Sequence, residues 1–124
     1  MRVMVVGSGG REHALCARIA RSPLVTHVIC APGNGGTARI AQNIAIDPEH
    51  VPAVVALAQA QNVDFVVVGP EAPLVAGLVD ALAEVGILAF GPKREGARLE
   101  GSKAFSKRFM QRHGVPTAAC EIFS

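Results

Sequence analysis

Residues 2–14 read RVMVVGSGGREHA, an apolar run followed at once by glycines and then by charged residues. The apolar run predicts a buried first strand over residues 2–6, and residues 7–10 predict a turn. Residues 11–21 predict a helix, because apolar side chains recur there at helical spacing until Ser-Pro at 22–23. A buried strand that passes through glycines into a helix is typical of a parallel sheet with helices on both faces.

The rest of the chain repeats this alternation of apolar runs and helical patterns. Asp47 is the predicted N-cap of one helix, with Pro48 in its first position. The pattern predicts an α/β fold, a Rossmann-like parallel sheet flanked by helices. Further strands are predicted at residues 27–31, 43–46, 64–68, 87–90 and 117–123, and helices at residues 47–61, 74–84, 94–99 and 103–113.

The composition is typical of one globular domain. Half of the 124 residues are hydrophobic, and 12 Lys and Arg against 10 Asp and Glu leave a net charge of +2. This balance excludes a disordered chain, and the lack of a basic stripe argues against nucleic-acid binding. No run approaches the roughly 20 apolar residues of a membrane span. Three widely spaced cysteines predict neither disulfides nor a zinc site, and they favour a cytoplasmic location.

Four glycine-containing loops follow predicted strands, at residues 7–10, 32–36, 69–71 and 91–92. Because parallel α/β sheets bind ligands outside the carboxyl ends of their strands, these loops are expected to line one crevice. The first loop matches only part of the dinucleotide fingerprint GxGxxG, since Glu12 stands in the third glycine position. A carboxylate there would oppose a pyrophosphate, which argues against a nicotinamide cofactor. An anion site at the helix N-terminus and a tight turn without a ligand both remain open.

Several side chains near these loops could carry chemistry. Arg11 and Glu12 could bind a ligand with anionic and amino groups, although Glu12 also fits as a simple first-turn acid. Glu71 follows a buried strand between two prolines, so its carboxylate could face an ammonium group in the crevice; the alternative is a solvent-facing turn residue. Lys103, close after a glycine at a predicted helix start, could meet a phosphate or belong to a solvated basic face.

Five blocks of the sequence resemble one known family, the phosphoribosylamine–glycine ligases, also called glycinamide ribonucleotide synthetases. Residues 5–14, VVGSGGREHA, resemble the opening of that family, and residues 31–37, APGNGGT, resemble its second loop. Residues 68–74, VGPEAPL, and 90–92, FGP, resemble its third and fourth loops. Residues 99–107, LEGSKAFSK, resemble its crossover helix. The blocks follow the family's order and span nearly the whole chain.

The resemblance implies an activity. Such enzymes use ATP and a divalent metal, Mg²⁺ or Mn²⁺, to join glycine to 5-phosphoribosylamine, giving glycinamide ribonucleotide, ADP and phosphate in purine biosynthesis. It also implies a pre-ATP-grasp α/β domain at residues 1–101, then a crossover helix and the first segment of a truncated ATP-grasp domain at residues 102–124. The chain is therefore expected to be a fragment, inactive alone and without a tightly bound cofactor. The ATP-grasp part would be supplied in cis or as a separate subunit.

The resemblance implies binding roles as well. Glu71 is the expected partner of the substrate's amino group, Asn34 and Gly35 are expected to line the same pocket, and Lys103 is expected to reach the nucleotide phosphates. No catalytic residue and no metal ligand is expected in this chain. The alternative from another functional class is a non-catalytic nucleotide- or metabolite-binding module. The residues expected to hold the ribosylamine or glycinamide portion are Gly9, Gly10, Arg11, Glu12 and Glu71.

Overall fold

The computed structural model describes residues 1–101, with side chains to residue 97, together with residues 108, 112 and 113. Within these residues the chain alternates between strands and helices, and a short 3₁₀ turn over Thr37–Arg39 precedes β3. The strands are β1 (Arg2–Gly7), β2 (His27–Pro32), β3 (Gln42–Asn43), β4 (Phe65–Val68) and β5 (Leu88–Phe90). The helices are α1 (Gly10–Ile19), α2 (Val51–Ala60), α3 (Glu71–Val75), α4 (Leu78–Glu84) and α5 (Arg94–Gly101).

The five strands form one parallel sheet in the order β3-β2-β1-β4-β5. The central strand β1 pairs with both neighbours, so that Val5 lies opposite Cys30 of β2 and Val67 of β4. Because the strands are parallel, their carboxyl ends lie along one edge of the sheet, and the loops that follow them start there. The predicted α/β fold is confirmed.

The core lies on both faces of the sheet, because side chains alternate along each strand. On one face, Met4 and Val6 of β1 pack in a cluster that includes Val54 of α2 and Leu82 of α4. On the other face, the side chains of β1 and its neighbours pack against α1 through a smaller cluster. That cluster contains Val3, Val5, Cys16, Val28, Cys30 and Val67. Both faces of the central strands are therefore covered, as their continuous apolar sequences indicated.

The outer strand β5 is less well covered. Ile87 and Ala89 pack against the larger cluster, whereas Leu88 and Phe90, at alternate positions, are 70% and 68% exposed. At the opposite side of the sheet β3 has only two residues, fewer than the predicted strand at 43–46. The sheet thus ends in a very short strand on one side and an apolar strand on the other.

The helix predicted from residue 47 begins four residues later, at Val51. Asp47 caps a turn instead, since its Oδ1 accepts a hydrogen bond from the Glu49 N–H at 3.0 Å. The N-cap is His50, whose Nδ1 accepts from the Ala53 N–H at 3.2 Å. The prediction of Asp47 as N-cap was therefore wrong, because short acidic side chains serve turns as readily as helix starts.

The helix predicted at residues 74–84 is two helices, α3 and α4. The break falls at Gly77, which has φ +93°, a left-handed conformation that disfavours side chains. Leu74, Leu78 and Leu82 are nevertheless all buried in the core, so the apolar stripe continues across the break.

Three predictions lie outside the described residues, apart from positions 108, 112 and 113: the helix at 103–113, the strand at 117–123 and the role of Lys103. No helix in the described part is long and apolar enough to cross a membrane.

Candidate functional site

The first loop is built around the side chain of Glu12. This residue is only 5% exposed, and its Oε2 accepts a hydrogen bond from the Gly9 N–H at 2.7 Å. A Cβ added at Gly7 would lie 2.6 Å from Glu12 Cγ, and one added at Gly69 would overlap Glu12 Oε1. Gly7 at the end of β1 and Gly69 after β4 therefore make room for a carboxylate of the protein itself.

Arg11 joins the same two loops from the outside. Its side chain is exposed, and Nη1 donates a hydrogen bond to the Gly69 carbonyl at 2.8 Å. Neighbouring residues of a helix point in different directions, so Arg11 lies outside while Glu12 is buried. The loop after β1 is thus held against the loop after β4 by both side chains.

Asn34 joins the first loop to the loop after β2. Its Nδ2 donates to the carbonyls of Ser8 at 2.9 Å and Gly9 at 3.3 Å. Its Oδ1 accepts from the N–H groups of Gly36 at 2.8 Å and Thr37 at 3.0 Å. A side-chain amide has two donor hydrogens and two acceptor lone pairs, so these four bonds fill its capacity.

Two residues that the sequence analysis did not single out, Thr37 and Asn43, complete this loop. Thr37 is fully buried, and its Oγ1 accepts from the Asn34 N–H at 2.7 Å. The same oxygen lies 2.7 Å from Asn43 Oδ1, and Asn43 Nδ2 donates to the Asn34 carbonyl at 2.7 Å. A signal was present, because a hydroxyl and an amide beside a glycine-rich loop can satisfy backbone groups that the loop leaves unpaired.

The surface formed by the first two loops and the start of α1 is polar. Ser8, Gly9, Gly10 and Arg11 are exposed on it, as is Gly35. The first N–H groups of a helix lack intrahelical partners, and the helix dipole adds partial positive charge there. The arrangement suits an anionic group.

His13 borders this surface. Its side chain is exposed, and a Cβ added at Gly36 would lie 2.7 Å from its Cε1. The imidazole therefore lies against the second loop, where a larger residue at Gly36 would displace it.

Glu71 lies apart from this group. It is the exposed first residue of α3, and its carboxylate makes no hydrogen bond with any described residue. It lines a cavity of about 420 Å³ together with Glu49 and Val75. The loop after β5 lies against α3, because a Cβ added at Gly91 would lie 2.8 Å from Leu74 Cδ2. Hydrogen bonds thus bring together the loops after β1, β2 and β4, and the single crevice expected for all four loops stays a prediction.

Two cysteines lie beneath the first loop. Cys16 of α1 and Cys30 of β2 are free thiols, fully buried, and Cys30 Sγ donates to the Gly7 carbonyl at 3.6 Å. A hydrogen bond with Cys30, together with burial, raises the pKa of the Cys16 thiol far above its ordinary value. Within the described residues no three His, Cys, Asp or Glu side chains are placed to hold a metal ion. The hydrogen bond with Cys16 lowers the pKa of the Cys30 thiol, and both fully buried side chains contribute to the packing beneath the first loop.

The sequence matches known proteins along its whole length. Residues 1–100 match the family described as phosphoribosylglycinamide synthetase, N domain. Phosphoribosylamine–glycine ligases of Ralstonia nicotianae and Allochromatium vinosum are 57% and 52% identical to the chain over 126 aligned residues. These alignments cover 99% and 100% of this chain but 29% of each relative. The chain therefore spans less than a third of the length of the curated relatives it matches.

Solved structures share the fold. A crystal structure of phosphoribosylamine–glycine ligase from Thermotoga maritima superposes with a TM-score of 0.67 at 32% identity, covering 96% of this chain and 26% of that one. The biotin carboxylase domain of a thermophilic 2-oxoglutarate carboxylase superposes with a TM-score of 0.70, covering 94% of this chain and 28% of that one. Its identity to this chain is 22%, so that likeness shows the fold alone.

Proposed function

This chain belongs to the phosphoribosylglycinamide synthetase N-domain family, and from that membership we propose that it is the substrate-binding N-terminal domain of a phosphoribosylamine–glycine ligase. The observation that carries the proposal is the family match over residues 1–100. The identity of 57% and 52% to named ligases along nearly the whole chain supports it. The boundary between residues 1–101 and 102–124 is part of this proposal, as is a cytoplasmic location.

The proposed reaction is the ATP-dependent joining of glycine to 5-phosphoribosylamine. ATP phosphorylates the glycine carboxylate, and the amine of phosphoribosylamine attacks the resulting acyl phosphate. A carbon–nitrogen bond forms, the bond from the acyl carbon to the phosphate oxygen breaks, and the amine loses a proton. Because the amine must be held close to a water-sensitive group, the task of this domain is to bind and orient phosphoribosylamine.

The proposed binding surface is the polar one around the first two loops. The N–H groups of Gly10 and Arg11, at the start of α1, would face the substrate phosphate, and the exposed Arg11 guanidinium would add charge. Gly9 and Gly35 would allow the substrate to approach the backbone closely. Glu12 and Asn34 act through the loops, because their polar atoms are already engaged within the protein.

Glu71 is the proposed partner of the substrate's amino group. Its carboxylate is exposed and unpaired among the described residues, and Glu49 lines the same cavity. Two carboxylates at one cavity favour a cationic group.

In this proposal, ATP and Mg²⁺ or Mn²⁺ are bound by the complete enzyme. The described residues do not form a site for a metal ion, so no metal-dependent step of the reaction is assigned to them. Lys103, which lies outside the described residues, is proposed to reach the nucleotide phosphates.

Calorimetric titration of the 124-residue chain tests the binding part of the proposal. The titrants are glycinamide ribonucleotide, ribose 5-phosphate and NAD. We expect binding of glycinamide ribonucleotide and no binding of NAD. Tight NAD binding, or no binding of either phosphoribosyl compound, would favour a non-catalytic module of another kind.

A chimeric enzyme tests the catalytic part. Residues 1–101 replace the corresponding region of the Ralstonia nicotianae ligase, which is 57% identical over the aligned region. Formation of ADP that depends on both glycine and phosphoribosylamine is the expected result. A folded chimera that binds ATP but forms no product would contradict the proposal, and the unmodified Ralstonia enzyme is the control.

A further inference from the structure

Buried Thr37 and half-buried Asn43 form a polar pair to which neither the family resemblance nor the proposed mechanism gives a role. We infer that they are positioning residues, which hold the loop after β2 in the shape that lets Asn34 bind the first loop. The inference rests on the proposed function only where it predicts a change in substrate affinity. The positioning itself can be measured without substrate.

The pair closes a ring of hydrogen bonds around the backbone of Asn34. The Asn34 N–H donates to Thr37 Oγ1, the Thr37 hydroxyl donates to Asn43 Oδ1, and Asn43 Nδ2 donates to the Asn34 carbonyl. Each of these distances is 2.7 Å. The Asn34 N–H is therefore satisfied by a side chain, and the Asn34 carbonyl accepts from Asn43 Nδ2 as well as from the Ala38 N–H at 3.1 Å.

The second loop also wraps closely onto this pair. Gly33 has φ +75°, and a Cβ at this position would overlap Asn43 Oδ1 and lie 2.7 Å from Thr37 Oγ1. A side chain at Gly33 would therefore displace Asn43, so the hydrogen bonds of Asn43 depend on the glycine at position 33.

The ring acts on the proposed site through the side chain of Asn34. That side chain donates to the carbonyls of Ser8 and Gly9, and Gly9 immediately precedes the first turn of α1. Loss of the ring would leave the Asn34 N–H unpaired and the Asn34 carbonyl with the Ala38 N–H, so the amide would be held less firmly against the first loop. The proposed phosphate-facing N–H groups follow directly in the chain, so their arrangement depends on Thr37 and Asn43 although neither touches the first loop.

Matched variants separate positioning from general damage. Thr37→Val removes the hydroxyl but keeps the side-chain shape, and Thr37→Ser restores a hydroxyl. Asn43→Asp keeps the acceptor oxygen but removes the donor to the Asn34 carbonyl, at a half-buried position. Thr26→Val is the control, because the Thr26 hydroxyl donates to the Met1 carbonyl at 3.2 Å just before β2, in an exposed setting.

The first measurement is the amide NMR spectrum of the ligand-free chain. We expect Thr37→Val and Asn43→Asp to shift the Ser8 and Gly9 amide signals, Thr37→Ser to return them toward the original positions, and Thr26→Val to leave them unchanged. If Thr37→Val does not fold, Asn43→Asp decides the question. Unchanged Ser8 and Gly9 signals in the folded variant would overturn the inference.

The second measurement is the affinity for glycinamide ribonucleotide. Thr37→Val and Asn43→Asp should weaken binding about tenfold, the effect typical of a lost buried hydrogen bond. Shifted signals with unchanged affinity would overturn the link to the site. If the original chain binds no phosphoribosyl compound, the proposed function fails, while the NMR result still decides the positioning inference.

Discussion

Glu12 is charged, yet it lies in the interior between two loops. It tolerates this position because the Gly9 N–H donates to its carboxylate and because two glycines leave space for the side chain. This packing explains why a carboxylate replaces the third glycine of the dinucleotide fingerprint. The side chain fills the space beside the backbone of Gly7, Gly9 and Gly69.

Glu12→Ala should lower the free energy of unfolding by about 2 kcal/mol, because it leaves a cavity and an unpaired Gly9 N–H. Urea unfolding measures the change. Glu84→Ala is the control, since Glu84 is exposed at the end of α4 and should change stability little. Equal effects of the two substitutions would contradict the role given to Glu12.

Glu71→Gln should impair the use of phosphoribosylamine more than the binding of ATP. The substitution keeps the shape of an exposed side chain and removes the charge that would face the ammonium group. Measured in the chimeric ligase, the KM for phosphoribosylamine should rise about tenfold, as expected for the loss of a charged hydrogen bond. A similar rise in the KM for ATP would remove the assignment.

Part of the candidate site could be predicted from sequence. The glycine loops, Arg11 and Glu12 stand out because they follow a strand and begin a helix, which is a local pattern. The close packing of Glu12 against Gly69 could not be found in this way, since Gly69 is far away in the sequence. Thr37 and Asn43 were missed for the same reason: their importance comes from two hydrogen bonds to the Asn34 backbone and one between their own side chains, which form only in the folded loop.

At the scale of elements, the order of strands and helices was predicted well because each strand is a compact apolar run. The errors occur where two local signals compete. Asp47-Pro48 resembles a helix start, but the Asp47 side chain satisfies a turn, and the helix begins after His50. The apolar stripe of α3 and α4 predicts one helix, although Gly77 interrupts it.

Gly77→Ala should destabilise the protein more than Gly86→Ala. Both residues have positive φ, so each substitution should cost about 1 kcal/mol for the left-handed backbone. At Gly86 nothing lies within reach of an added Cβ, whereas at Gly77 the Cβ would lie 2.8 Å from Arg94 Nη2. That nitrogen donates to the Ala76 carbonyl at 2.7 Å, so Gly77→Ala also disturbs this hydrogen bond.

Thermal unfolding followed by circular dichroism compares the two glycine variants. A lower midpoint for Gly77→Ala than for Gly86→Ala is expected. The reverse order would show that Arg94 does not help to join α5 to the end of α3.

For the whole molecule, the two buried thiols report on the integrity of the core. Cys16 and Cys30 pack on the face of the sheet covered by α1, and both side chains are fully buried in the folded protein. Thiol-specific reagents should therefore modify both residues at the rate at which the protein opens. Mass mapping at increasing urea concentrations should show modification that follows the unfolding transition. Fast labelling of either residue in the absence of urea would contradict this packing.

The unequal sides of the sheet also limit how copies of the chain could associate. Strand addition at β3 is restricted because that strand has only two residues, whereas β5 presents the exposed side chains of Leu88 and Phe90. In the described part of the chain, two copies joined through β5 would leave a two-residue strand at each outer side of the combined sheet. Further strand addition would be restricted there, so such an association would favour a closed pair over a growing sheet.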